Sequence, residues 1–186
     1  MVGPEAHGTR KSVIGRNIYY DVKAGTNTRN SSGGLLNISA RTLKDHISVL
    51  DLNNPGQDGL YNLHTLTITG NYQSSTNDKT IDLHAIDIEK ISPTRLRFFL
   101  NNHRPAVDEK GEFLDPKKVG DNATIEIFEH EKGSGELEFV RTIVDPVVKT
   151  PNSVVGDGKG GAWVSNDSDK KVHLVCFPLI FRSSIP

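Results

Sequence analysis

Residues 150–167 read TPNSVVGDGKGGAWVSND. The pattern is that of one short β-hairpin: an apolar run at Val154-Val155, a Gly-rich reversal over 156–161, and an alternating strand from Ala162 to Ser165 that ends on Asn166-Asp167. Polar oxygens therefore stand at both strand ends. Pro151 fixes the approach to Asn152, whose amide oxygen can be aimed at something held beside the strand. Calcium suits such an oxygen, because it takes neutral amide and backbone oxygens alongside carboxylates in flexible geometry. The alternative is a plain turn-rich hairpin whose Asn and Asp side chains satisfy only local backbone groups.

Outward from this hairpin the same grammar repeats. Ile47–Leu52 reads as a strand, NNPGQDG as a turn, and Leu63–Thr69 alternates with period two. Ile81–Glu89 (IDLHAIDIE) and Arg95–Leu100 (RLRFFL) follow, the former largely buried at Leu83 and Ala85. Ala123–Glu131 and Glu136–Val144 are joined by the turn Lys132–Gly135. No segment carries a sustained 3.6-residue period with caps, so the chain is all-β. A four-strand unit recurs after roughly 70 residues: two strands from 46–69 with the pair at 81–100, then two strands from 123–144 with the pair at 150–167. Four antiparallel strands per repeat with no helix between them point to a β-propeller, of which this length supplies about two and a half blades; a sandwich is the competing fold. Residues 1–45, rich in Gly, Asn, Ser and Thr, read as irregular. Residues 46–170 hold the blades, and 171–186 form an apolar tail that fits either a third-blade strand or a foreign ending.

Lys and Arg number 22 against 23 Asp and Glu, a net charge of −1. With no long basic run, nucleic acid is excluded as a partner. The hydrophobic fraction is 35%, which predicts a thin core. The single cysteine, Cys176, forms no internal disulfide and reads as a small buried hydrophobe. The N-terminus lacks the basic-then-apolar pattern of a leader, and no apolar run reaches the ~18 residues that span a bilayer. Four Asn-X-Ser/Thr sequons occur, at Asn30, Asn37, Asn122 and Asn166.

Residues 46 to about 170 resemble the serum paraoxonase/arylesterase family, particularly fungal members. The likeness rests on DLHAID, LNNH-R-P, ATIEIFEHE, FVRTI and TPNSVVGDGKGGAWVSND in the same order and at similar spacing. It implies a six-bladed β-propeller with two calcium ions in its central tunnel, and hydrolysis of aryl esters and lactones. By position, Asn152 matches an amide ligand of the catalytic calcium. His84 matches the histidine that acts on water, and His103 a second histidine that relays its proton. The backbone carbonyl of Ile86 falls where a ligand of the structural calcium lies, and Asn166 and Asp167 match a motif near the tunnel. In this scheme calcium polarises the substrate carbonyl while an imidazole takes a proton from water.

The departures are specific. Ser153 stands where the family has an aspartate ligand of the structural calcium, so a hydroxyl replaces a hard anion and that site weakens. The Glu-Asp pair of the family's first blade has no counterpart in 1–46, and the ligands of later blades are absent. The resemblance therefore implies a partial chain with impaired activity, whose full-length relatives are secreted or membrane-anchored. The expected substrate is a small ester or lactone. The other reading is a non-catalytic β-propeller fragment that serves as an interaction module; the gluconolactonase and strictosidine synthase-like groups share the fold, but LHAID with NNH-R-P favours the paraoxonase branch.

The remaining polar residues read as surface. His7, His46, His64, His130 and His173 are expected to face solvent, as is the alternating row Glu126, Glu129, Glu131, Glu136 and Glu138. Trp163 is expected to pack inside its blade. Unclosed blades expose strand edges, which predicts marginal stability and self-association.

Overall fold

The computed structural model describes residues 10–13, 18–23, 45–74, 79–168 and 179–183. Among the described residues twelve strands fall into three open sheets, with one four-residue helical turn at Pro116–Val119. The first sheet runs β1 (Arg10–Val13), β2 (Ile18–Lys23), β3 (His46–Pro55), β4 (Tyr61–Thr65), antiparallel throughout. The second is an up-and-down meander of β6 (Leu83–Lys90), β7 (Arg95–Pro105), β8 (Asp121–Glu131) and β9 (Glu136–Ile143), to which β5 (Thr67–Thr69) adds in parallel beside β9. The third is β10 (Pro151–Gly156), β11 (Ala162–Asn166) and β12 (Leu179–Ser183). Among the described residues no helix is long and apolar enough to cross a membrane.

The second sheet organises the molecule because β7 is buried on both faces. Its run Leu96-Arg97-Phe98-Phe99-Leu100 does not alternate, which is how a two-sided strand reads. Leu96, Phe98 and Leu100 enter one core with Ile47, Leu66, Tyr72, Ile81, Leu83, Ile88, Phe128 and Leu137. Phe99 enters the other, with Ile125, Ile127, Val148, Val154, Ala162 and Val164. Tyr72, Phe128 and Phe139 pack edge-on or tilted in the first, with ring centroids 5.3 to 5.5 Å apart. The thin core that composition predicts is in fact two cores sharing one sheet.

Several expectations are corrected. The four-strand unit is out of phase by two strands: LHAID and RLRFFLNNH share a sheet with ATIEIFEHE and ELEFVRTI, while PNSVV and GAWVSN begin another. The long loop 106–120 hides the pairing that joins them, an antiparallel register from Arg95↔Glu131 to Pro105↔Asp121. Leu63–Thr69 is two strands. Leu66 N–H bonds Ile47 O at 2.8 Å in the first sheet and the next N–H, of Thr67, bonds Gly135 O at 2.8 Å in the second, so the chain changes partners at that peptide. Within 1–45, the described residues 10–13 and 18–23 are strands paired into the first sheet. In the tail, 179–183 pairs with β11; Cys176 lies outside the described residues. His130 and Glu126 are each 2% exposed, and Trp163 is 43% exposed beside its cross-strand partner Val155. Of the expected solvated row, Glu131, Glu136 and Glu138 are exposed, Glu129 is half-buried under Arg95 and Arg97, and Glu126 alone is buried, on the face of β8 that carries Phe128 into the first core.

The hairpin at 150–167 forms as its sequence predicts. Val154 pairs with Val164 and Val155 with Trp163. Gly158 and Gly160 take φ of +73° and +90°, which L side chains rarely adopt, and Asp157 Oδ1 accepts the N–H groups of Lys159 and Gly161, each at 2.8 Å.

Candidate active site

His84 and Asn152 both sit where their strands leave register. The β6–β7 ladder pairs Leu83 with Asn102 and Ala85 with Asn101, stepping over His84. The β10–β11 ladder pairs Pro151 with Asn166 and Ser153 with Ser165, stepping over Asn152. A bulge leaves its extra residue without a partner and re-aims the side chain. Here two bulges aim at each other: His84 Nε2 lies 2.9 Å from Asn152 Oδ1. An amide oxygen only accepts, so this bond puts the hydrogen on Nε2 and leaves Nδ1 as the basic nitrogen of the neutral ring. His84 is exposed and Asn152 half-buried, so the pair opens to solvent from one side.

The two strands that carry the pair are tied together further along. Asp87 Oδ2 on β6 accepts Gly156 N–H at 2.8 Å, and Glu89 Oε1 accepts Gly158 N–H at 2.6 Å. Asn166, at the end of β11, holds the approach to β10: its Oδ1 accepts from Lys149 and Thr150 N–H at 3.0 Å each, and its Nδ2 donates to Val147 O at 2.7 Å. With its side chain committed and 2% exposed, Asn166 is closed to glycosylation. Asp167 joins the same clasp through its N–H to Thr150 O, 2.9 Å.

His103 lies behind His84, ring centroids 5.1 Å apart and tilted by 52°. It is buried. Its Nδ1 bonds the Asp121 carboxylate and its Nε2 bonds Pro151 O at 2.6 Å. Beside it, Asn102 Oδ1 accepts Asp82 N–H at 2.8 Å while Nδ2 is shared by Tyr72 Oη and Glu126 Oε1, each at 3.0 Å. Thr124 and Thr142 hydroxyls complete the Glu126 carboxylate. Burial pushes the Tyr72 phenol well above its usual range, with Glu126 adding to the shift; the phenol stays protonated and donates to Thr80 O at 3.0 Å. Arg104 reaches Thr80 and Asp82 from the same strand. This network fixes residues 80–82, the approach to His84.

Sequence reasoning named His84, His103 and Asn152, and the structure brings the three together. It missed Asp121, which lies 18 positions from His103 across a long loop; the one signal was the register of β7 on β8, invisible until the strands are paired. Ile86 stands on β6 opposite Leu100 with its side chain against the first core. Ser153 is half-buried on β10, opposite Ser165. The oxygens of Asn152, Ser153 and the Ile86 carbonyl are the kinds calcium takes. Asn152 Oδ1 spends one lone pair on His84 and keeps a second. The set is neutral, and among the described residues no three His, Cys, Asp or Glu side chains group to hold a metal.

No protein-family model matches this chain, and no curated protein matches it. The fold and site define a class: an all-β chain of packed sheets with an exposed histidine oriented by an amide between two of them.

Proposed function

We propose that this chain is a hydrolase of aryl esters or lactones that works with calcium, built on part of a six-bladed β-propeller. The propeller reading is supported by the meander β6-β7-β8-β9, a four-strand unit packed between two further antiparallel sheets. The observation that carries the chemistry is the meeting of His84 and Asn152 from two bulges.

His84 acts as general base. With Nε2–H held by Asn152, its Nδ1 takes a proton from water as the water oxygen attacks the ester or lactone carbonyl. Collapse of the tetrahedral adduct breaks the acyl C–O bond, and the proton on Nδ1 returns to the departing oxygen. Asn152 fixes ring orientation through this cycle, which is the role a second group plays beside any catalytic imidazole. Asn152 Oδ1 would hold the calcium that, when bound, supplies polarisation of the substrate carbonyl, and the Ile86 carbonyl and Ser153 Oγ would serve a second, structural ion.

Phenyl acetate and a γ-lactone are the test substrates, assayed with calcium titrated from zero to millimolar and then removed by chelation. The expected result is turnover that rises with calcium, falls with the chelator and is lost in His84→Ala. Turnover equal in His84→Ala and the parent, or none at any calcium concentration, overturns the reading and leaves the chain as a non-catalytic β-sheet module.

A further inference from the structure

We infer that Asp121, His103 and the Pro151 carbonyl form a strut that sets Asn152 against His84, so that His103 positions the pair and does not receive its proton. The inference rests on the hydrolase reading for its consequences and on hydrogen-bond geometry for its substance.

His103 grips both bulged strands just ahead of their bulges. Its backbone N–H bonds Asp82 O at 2.8 Å, two residues before His84. Its ring bonds Pro151 O at 2.6 Å, in the peptide that leads into Asn152. One residue thus fixes the approach to each partner. Pro151 makes the second grip effective, because its ring already restricts φ and the hydrogen bond sets the following peptide plane. Asp121 in turn holds the imidazole. It sits two residues along β8 from Ala123, the cross-strand partner of His103, on the same face; the small Ala123 leaves the diagonal open, and the two side chains meet. His103 and Asp121 are each 4% exposed, so water does not compete for the bond.

The same accounting removes His103 from proton transfer. A carbonyl oxygen only accepts, so Nε2 carries a hydrogen. Nδ1 faces the Asp121 carboxyl, and whichever of those two carries the shared hydrogen, Nδ1 has no open lone pair. A ring engaged at both nitrogens cannot take a proton from His84 without breaking the strut. The proton on the exposed His84 is returned to the leaving group or to solvent.

The first arm of the test needs neither calcium nor substrate. Hydrogen exchange of the full chain is measured at amides 152–156. Asp121→Ala is expected to raise exchange there by about tenfold, a local loosening of ~1.4 kcal/mol, and Asp121→Asn, whose side-chain N–H can donate to Nδ1 of the neutral ring, to stay near the parent. Should Asp121→Ala fail to fold, His103→Gln, which keeps one bond of the two, is read in its place. Unchanged exchange at 152–156 in the variant read overturns the strut, as does equal loosening in Asp121→Asn. The second arm measures calcium binding by calorimetry beside kcat. The strut predicts that His103→Gln weakens calcium about 10- to 100-fold and lowers kcat at saturating calcium far less than His84→Ala does. Loss of kcat as deep as in His84→Ala with calcium affinity unchanged would make His103 the proton acceptor. If the parent shows no hydrolysis the functional reading fails alone, and the exchange arm still decides the strut.

Discussion

His84 Nε2 and Asn152 Oδ1 stand 2.9 Å apart although 68 positions separate the two residues and they belong to different sheets. Regular strands would not bring them together. In an unbroken ladder each side chain is committed to one face and to a cross-strand neighbour, and both residues escape that commitment through a bulge. The contact orients the exposed ring and fixes which nitrogen is basic, which is the minimum a general base requires.

The pair makes unequal predictions for its two members. On the proposed mechanism His84→Ala removes the base and is expected to lower kcat by about 10²–10⁴-fold. Asn152→Ala removes only the anchor of Nε2 and one neutral ligand, and is expected to cost about 10- to 100-fold in kcat or calcium affinity. Steady-state kinetics on phenyl acetate checks the order. A deeper loss in Asn152→Ala than in His84→Ala would assign the chemistry to the amide and its metal.

Stability is expected to fall in two separate steps as pH drops. Burial holds the His130 imidazole below its usual value, against the pull of its hydrogen bond to Glu136 O and of nearby Glu131. The unfolded chain then binds a proton near pH 6.5 that the folded chain resists, so the unfolded state holds more protons and stability declines from about pH 6.5 down to the depressed folded value, below which the decline stops. Glu129 acts lower. Burial raises its carboxyl, but hydrogen bonds from Arg97 and Arg95 outweigh this and leave it below its ordinary value. Its contribution is present above about pH 4.3 and is lost as pH falls through the folded value. Urea midpoints measured from pH 8 to 3 should show both steps, and His130→Gln should flatten the upper one. An upper step of the same size in His130→Gln assigns it to another group.

Much of this was legible in the sequence, and the limits have physical causes. Each hairpin was readable from turn chemistry, since 132–135 and 156–161 are short and Gly-rich. Which hairpins share a sheet was not, because side-chain period reports faces and carries no record of partners; Leu66 and Thr67 look like one strand and serve two sheets. His130 and Glu126 lie on the face of β8 that carries Phe128 into the first core, a layer that periodicity alone does not reveal. The site residues His84, His103 and Asn152 came from a resemblance. Asp121 became visible only once β7 and β8 were aligned.

Gly156→Ala is expected to destabilise the chain although Gly156 has no unusual φ. An added Cβ would overlap the carboxylate of Glu89, with Cδ at 2.5 Å and Cγ at 2.7 Å. Because three successive atoms are in the way, the whole side chain must swing out and abandon Gly158 N–H, now bound at 2.6 Å. The expected loss is about 1–2 kcal/mol, read as a lower melting temperature. In Glu89→Ala the obstacle is absent, so adding Gly156→Ala there should cost much less than it does alone. Additive losses would mean that Glu89 is not what the methyl meets.

Ser153→Asp tests the calcium site by strengthening it. The oxygens that Ser153 and Ile86 would offer to the proposed structural ion are neutral, and calcium affinity rises with the number of anionic ligands, so a site built on them would belong near the weak end, Kd about 1 mM. At 10 mM calcium such a site stabilises the folded chain by ~1.4 kcal/mol. One carboxylate in place of the Ser153 hydroxyl that tightens binding tenfold raises this to ~2.7 kcal/mol. Thermal melts of parent and Ser153→Asp with calcium and with magnesium measure the difference, and magnesium, which demands a tight octahedron, should do little. A calcium shift in the parent that Ser153→Asp leaves unchanged would place the ion away from β10. No calcium shift in either chain would remove the metal from the proposed chemistry and leave His84 and Asn152 to act alone.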